Sequence, residues 1–396
     1  MAEGREAWIT GIGILSCLGE GPQIHWQRLM EGKPGAGAKA IGPYVVHPIG
    51  PVDFDKQIPK RGDQRQMEPW QRIGTYAAGL ALESAGIKGN RELLARTDMI
   101  VAAGSGERDL AVDATILEGL PKAENPAAFL NERLMNDLRP TLFLAQLSNL
   151  LAGNISIVHG VTGSSRTFMG EEAAGVDAVR IALARIHAGQ SELALVGGSH
   201  NGERKDLLAQ YDFGGFMLKG GYRPVWERGP EGGFASASLG AFLIIEERAH
   251  AERRGAKPLA RLVAAFSDRC ERKPGGVRQS LRGLWEKIAP SIASGHYAVF
   301  SGASGAEPAT GEERAFLAEL GVAVRAPGSY VGHGPEPQFV MNLALATLAL
   351  GHGALYPPCE RTGVERNMEG KLTQVVVTGV GHWRGEGLAL IEAART

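Results

Sequence analysis

An α/β fold of alternating strands and helices follows from three features of the 396-residue chain. Short apolar runs ending in glycine recur at Ala7 to Leu15, Thr97 to Gly106 and Leu193 to Gly198, as buried strands do. Between them lie alanine- and leucine-rich stretches with apolar residues at helical spacing. The same strand–helix order then recurs in the second half of the chain.

Ala7 to Leu15 (AWITGIGIL) reads as a buried strand, followed by turn residues and a helix over Ile24 to Met30. Phe54 to Ile87 carries a basic segment and then a long amphipathic helix. Thr97 to Gly106 is the next strand, and Asp109 to Pro140 reads as helical excursions without a sharp pattern. The richest stretch is Gly163 to Gly198. Thr167 to Met169 is a short β run, and Gly170, Glu171 and Glu172 make a turn. Ala173 to Ala188 is a helix with Val176, Val179, Ile181, Leu183 and Ile186 on its apolar positions. Gly189 stops that helix, and Leu193 to Val196 is a strand ending at Gly197-Gly198. Such a strand-to-helix elbow holds its tip at a helix N-terminus, which favours an anion and can activate a nucleophile. Later strands are expected over Phe242 to Ile245 and Leu259 to Ala265, with a helix over Phe339 to Leu350.

Composition narrows the function. Hydrophobic residues make up 44% and charged residues 21%, as in a globular protein, and the formal net charge is −1. That charge gives no general attraction to nucleic acid or to an anionic membrane. No apolar run approaches a membrane span, and Met1 to Glu6 does not begin an export signal. The three cysteines, Cys17, Cys270 and Cys359, lie far apart, which points to reduced thiols and a cytoplasmic protein. Cys17 reads as a buried structural residue. No metal-ligand spacing, phosphate-binding loop or dinucleotide fingerprint is present, so neither a metal nor a cofactor is expected.

The stretch Gly163 to Gly198 resembles the nucleophile elbow of the β-ketoacyl-acyl-carrier-protein synthases, type II ketosynthases of the β-ketoacyl synthase II type. Gly163-Ser164-Ser165 takes the place of the family's Gly-Pro-Asn, and Gly175 that of the glycine after the nucleophile. Arg223-Pro224, Gly233-Phe234, Gly240-Ala241 and His352-Gly353 match further landmarks, so the resemblance covers nearly the whole chain. It implies a thiolase-like fold of five layers, α-β-α-β-α, from two fused halves, here residues 1–249 and 250–396. It also places the family's functional residues. The cysteine nucleophile falls on Glu172, the first catalytic histidine on Gly302 and the conserved lysine on Gly328, while the second histidine is retained as His333. Arg325 is the nearest basic residue to that lysine position. Val380, between Gly379 and Gly381, takes the place of the phenylalanine that supplies an oxyanion N–H and gates the acyl tunnel. His382 is an additional imidazole near the expected pocket.

A carboxylate is a poor substitute for a thiolate, because acyl transfer to it gives an anhydride that water opens. Its charge also opposes the enolate formed when a malonyl group loses carbon dioxide. The resemblance therefore implies a non-condensing homologue, similar to chain-length-factor subunits. It would work with an acyl carrier protein, as a homodimer or as a heterodimer with a cysteine-bearing paralogue. Two alternatives remain at this stage. One is altered acyl-transfer or decarboxylation chemistry using Glu172, His333 and His382, which requires the two histidines to lie in reach of each other. The other is an acyl-binding module, which requires a long apolar tunnel. The plain readings are a His333 that pairs with Glu172 or the backbone, and a His382 that is simply packed or at the surface.

Overall fold

A computed structural model describes residues 5–394 except 141, 143–145 and 294. Residues 1–4, part of the segment read as carrying no export signal, lie outside the described residues.

The first half contributes five strands to the main order, β1 (Ala7–Ser16), β2 (Asp98–Ala102), β3 (Ser165–Phe168), β4 (Leu193–His200) and β5 (Leu239–Glu247), besides the short strand Gly19–Glu20 that pairs with β1. They lie in the order β1-β5-β4-β2-β3. The second half contributes β6 (Ala260–Asp268), β7 (Tyr297–Phe300), β8 (Val324–Arg325), β9 (Gln374–Val380) and β10 (Glu386–Ala393), in the order β6-β10-β9-β7-β8. The pairing sense repeats as well. In each half the first and fifth strands are antiparallel, as are the fifth and fourth, while the second strand runs parallel to both neighbours. The half-sheets meet where β1 pairs antiparallel with β6 at Ala7↔Leu262, Trp8↔Arg261 and Ile9↔Ala260.

Burial explains this arrangement. Every residue of β4 and β5 is buried, so these strands are covered on both faces and read as continuous apolar runs. Helix α1 (Pro69–Ser84) covers the outer face of the first half-sheet, packing on β1, β4 and β5. Helix α2 (Glu172–His187) packs on strands of both half-sheets. Helices α3 (Gly276–Ile288) and α4 (Ala309–Leu320) cover the far side of the second half-sheet. Helix α5 (Pro335–His352) lies beside α2 between the half-sheets, and it is buried almost all round. The layers are therefore α, β, α, β, α, as the sequence predicts. A small sheet of Lys39–Ile41, Tyr44–His47 and Ser236–Ala237 lies apart from the main one.

Several boundaries differ from the sequence reading, and three of them bear on the site. Helix α2 begins at Glu172 itself, so the turn is Gly170-Glu171. Helix α5 begins at Pro335 rather than Phe339, because proline is tolerated in a first turn that needs no backbone donor. Strand β4 does not stop at Gly197-Gly198 but continues to His200. Both glycines stay in the ladder, opposite Phe242 and Ala241.

The two central helices cross at Gly175, where a Cβ would lie 2.5 Å from the Glu336 carbonyl oxygen. Gly175→Val should therefore lower the free energy of unfolding by about 1–3 kcal/mol through overpacking. Chemical denaturation followed by circular dichroism measures this, and unchanged stability would mean that the helices do not touch there.

Candidate active site

The elbow is strained. Glu171 has φ 59° and ψ −134°, and it is the single non-glycine residue with positive φ among the described residues. Such a conformation costs about 1–3 kcal/mol and persists only where the surroundings enforce it. Here β3 ends at Phe168 and α2 starts at Glu172, so the chain reverses within three residues. The reversal delivers the Glu172 side chain, 3% exposed, into the interior at the N-terminus of α2.

Two imidazoles meet it there. His333 Nε2 lies 2.7 Å and His382 Nδ1 lies 2.9 Å from the same oxygen, Glu172 Oε1. A carboxylate can only accept, so both ring nitrogens donate. The backbone N–H of His382 adds a third, longer bond of 3.3 Å to that oxygen. Glu172 Oε2 and His333 Nδ1 are buried without a protein partner. His333 is held by its main chain, whose N–H donates to the Ala235 carbonyl at 2.8 Å and whose carbonyl accepts from Ala237 at 2.9 Å. His382 sits in the turn after β9. The Arg272 guanidinium fixes that turn by donating to the Gly381 carbonyl at 2.6 Å and to Glu386 at 2.5 Å. Tyr211, Phe216 and Phe234 surround the His382 ring with centroids 4.8 to 5.4 Å away.

The electrostatics follow from burial and pairing. Burial raises the Glu172 carboxyl, but the two imidazoles outweigh it and hold it well below the usual carboxylate range. Burial lowers His382, but the Glu172 charge outweighs that and raises it. For His333 burial prevails and the ring is lowered. The arrangement therefore favours an ionised Glu172 and a protonated His382, with His333 the less basic ring, donating through Nε2. Its three donor atoms lie within 4.8 Å of one another and have the chemistry of metal ligands, a grouping that sequence spacing does not show. The direct N–H···O bonds account for its geometry.

The other expected positions fall differently. Gly302 lies close by, but a Cβ there would sit 2.5 Å from the Thr378 carbonyl oxygen, so the backbone leaves no room for an imidazole. The Gly302 N–H is bonded to Thr378 Oγ1 at 2.7 Å. Gly328 opens a four-residue helix, Gly328–Val331. Arg325 supplies no cation to the site, since its guanidinium donates to the carbonyls of Tyr356, Val324 and Arg366. Gly379 and Val380 belong to β9 rather than to a loop, and the Val380 side chain packs in the outer core of the second half. Gly381 donates its N–H to the Gly385 carbonyl at 2.8 Å. The backbone N–H that reaches the elbow carboxylate is that of His382. Cys17 is partly buried, with Sγ donating to the Tyr330 carbonyl at 3.3 Å. Burial pushes its thiol up to about 12, which leaves it unreactive.

Sequence reasoning missed a second group. His200 at the end of β4 lies 2.9 Å, through Nδ1, from Glu336 Oε2 in the first turn of α5. The polar residue closing β4 and the acid following Gly332-His333 by three positions were the available signals.

Removing the shared acceptor tests the cluster. Glu172→Ala should cost about 3–5 kcal/mol in a denaturation experiment, because it leaves buried partners unpaired. The pH dependence has two sides. The raised His382 contributes stability that is complete below the ordinary imidazole value of about 6.5 and is lost as pH rises through its raised value. The depressed Glu172 contributes stability that is present above the ordinary carboxylate value of about 4.3 and is lost as pH falls through its lowered value. Glu172→Gln should abolish the alkaline loss, and its persistence would show that another group causes it.

Residues 5–250 match the family described as "Beta-ketoacyl synthase, N-terminal domain". The chain is 24% identical over 270 residues to the 3-oxoacyl-[acyl-carrier-protein] synthase 2 of Vibrio harveyi, covering 65% of this chain and 62% of that protein, less than two thirds of its length. It is 26% identical over 375 residues to the tetracenomycin polyketide synthase ketoacyl synthase beta subunit of Streptomyces glaucescens, covering 90% of this chain and 88% of that one. The structure of the ishigamide ketosynthase/chain length factor superposes with a TM-score of 0.78 at 17% identity, over 99% of this chain and 100% of that one, which establishes the shared thiolase-like fold. With the elbow in place and a glutamate at its first helical residue, the chain belongs to the β-ketoacyl synthase family.

Proposed function

We propose that this chain is a non-condensing member of its family. It would act in acyl-chain synthesis beside a cysteine-bearing ketosynthase and an acyl carrier protein. The observation that carries this reading is the Glu172 carboxylate, buried at the elbow and bonded by both nearby imidazoles. The nucleophile position therefore holds a poor acyl acceptor. The retained histidine spends its Nε2–H on that carboxylate rather than on an enolate oxygen. The packing around Gly302 supports the same reading, since it excludes the second imidazole of the malonyl half-site. The relatives' printed names, an acyl-carrier-protein synthase and a ketoacyl synthase beta subunit, agree with this class of partner.

Strand β3 ends the first half-sheet, paired only with β2 in the strand order. We assign its open side to pairing with a second chain of the same family, either a copy or a cysteine-bearing paralogue. The halves are taken to divide at 249/250, between β5 and β6. No helix among the described residues is long and apolar enough to cross a membrane.

A second reading draws on the proximity of His382 to His333, since both reach one oxygen. In it the imidazole pair would decarboxylate a malonyl group. The carboxylate between the rings opposes that chemistry, because the enolate would form beside an existing negative charge. A module for long apolar acyl chains draws no support from the cavity beside the elbow, whose lining includes Glu171, His200, Asn201, Arg204, Glu336 and Arg384.

The test is decarboxylation and condensation of malonyl-carrier protein by the chain alone and mixed with the cysteine-bearing paralogue. The expected result is background activity alone and an altered rate or product length in the mixture. Activity of the chain alone, lost in Glu172→Ala or His333→Ala, would overturn the proposal. Glu172→Cys should remain at background, because Gly302 and Gly328 leave the malonyl half of the site unbuilt.

A further inference from the structure

The cavity beside the elbow has a volume of about 280 Å³ and adjoins the Glu172 cluster without including it. Tyr211 separates the two. It lines the cavity and packs edge-on against His382, with centroids 5.4 Å apart. The cavity opens at the C-terminal end of β4, the end at which open α/β sheets bind ligands.

Its centre is a built pair. His200 and Glu336 are each 4% exposed and both line the cavity. The carboxylate accepts from Nδ1, which fixes the ring tautomer and leaves Nε2 with a lone pair. That Nε2 is buried and has no protein partner. Glu336 sits in the first turn of α5, where the helix N-terminus favours its charge. The backbone opposite is adapted to it, since a Cβ at Gly104 would lie 2.6 Å from Glu336 Oε1. Glu171, whose Oε2 also lacks a hydrogen-bond partner, forms another wall. Asn201, Arg204, Gln210 and Arg384 add to the polar lining.

Trp70, Met169 and Leu207 give the cavity some apolar wall, but an alkyl chain suits its buried polar groups badly. It would cover these polar groups without bonding them, at about 1–3 kcal/mol for each buried group left unsatisfied. A hydroxyl suits it well, because it donates to the bare imidazole nitrogen.

We propose that this cavity binds a short hydroxylated acyl group, whose hydroxyl donates to His200 Nε2 while Glu336 orients the ring. This rests on the reading of the chain as a protein that handles acyl thioesters. Its test needs no turnover and no partner, so it fails or succeeds separately from the mixing assay.

The probes are the 3-hydroxybutanoyl and butanoyl thioesters of N-acetylcysteamine, titrated into the full chain by calorimetry. The hydroxylated probe should bind about tenfold more tightly or better, since a site built to bond a hydroxyl rejects the analogue that lacks it. Glu336→Gln keeps the side-chain shape but no longer holds the charge that orients the ring, and it should erase most of the preference. His200→Ala should erase all of it. A shift of the His200 imidazole nitrogen resonances on binding the hydroxylated probe gives a readout that does not depend on variant folding. Equal affinity for the two probes, tighter binding of the butanoyl probe, a preference unchanged in both variants, or no binding of either probe at millimolar concentration would each overturn the proposal.

Discussion

A single buried carboxylate sets the terms for the centre of this protein. The two central helices lie between half-sheets, and the start of α2 faces an interior where a lone charge is costly. Glu172 is tolerable there only because the second half of the chain supplies its partners. His333 comes from the residues before α5 and His382 from the turn after β9, separated from Glu172 by 161 and 210 residues. The ion pair thus spans the two halves of the fold at the point where a condensing enzyme would keep its thiolate.

The architecture of catalysis survives around it. The strained backbone at Glu171, the abrupt start of α2 and His333 beside them are the features that would present a nucleophile. On the proposed reading, condensation is closed from two directions. The carboxylate is saturated by donors on one oxygen, and the backbone of Thr378 occupies the volume that a side chain at position 302 would need. Fold and function part company here through a few atoms, while the surrounding layers remain intact.

The Glu172 cluster and the neighbouring cavity share an electrostatic field. Glu171 and Glu336 line the cavity, and both also raise His382 after Glu172 does. Burial, followed by the Glu172 charge, raises Glu171 itself. A ligand that changes the charge of the cavity will therefore shift the proton affinity of His382, although the two sites have separate hydrogen bonds.

The sequence by itself determined the alternation of strands and helices, the elbow and the glutamate at its tip. These are local patterns, carried by residue spacing and by glycines within one element and its turn. Tertiary structure alone decided the rest. It carried β4 past Gly198 to His200, turned His382 from an incidental imidazole into the counter-ion of Glu172, and joined His200 to Glu336 across 136 residues. It also placed Val380 in a strand and left Gly302 no room for a side chain. The physical reason is common to these cases. A hydrogen bond or a close contact between distant segments depends on how layers stack, and that leaves no periodicity in the chain to read.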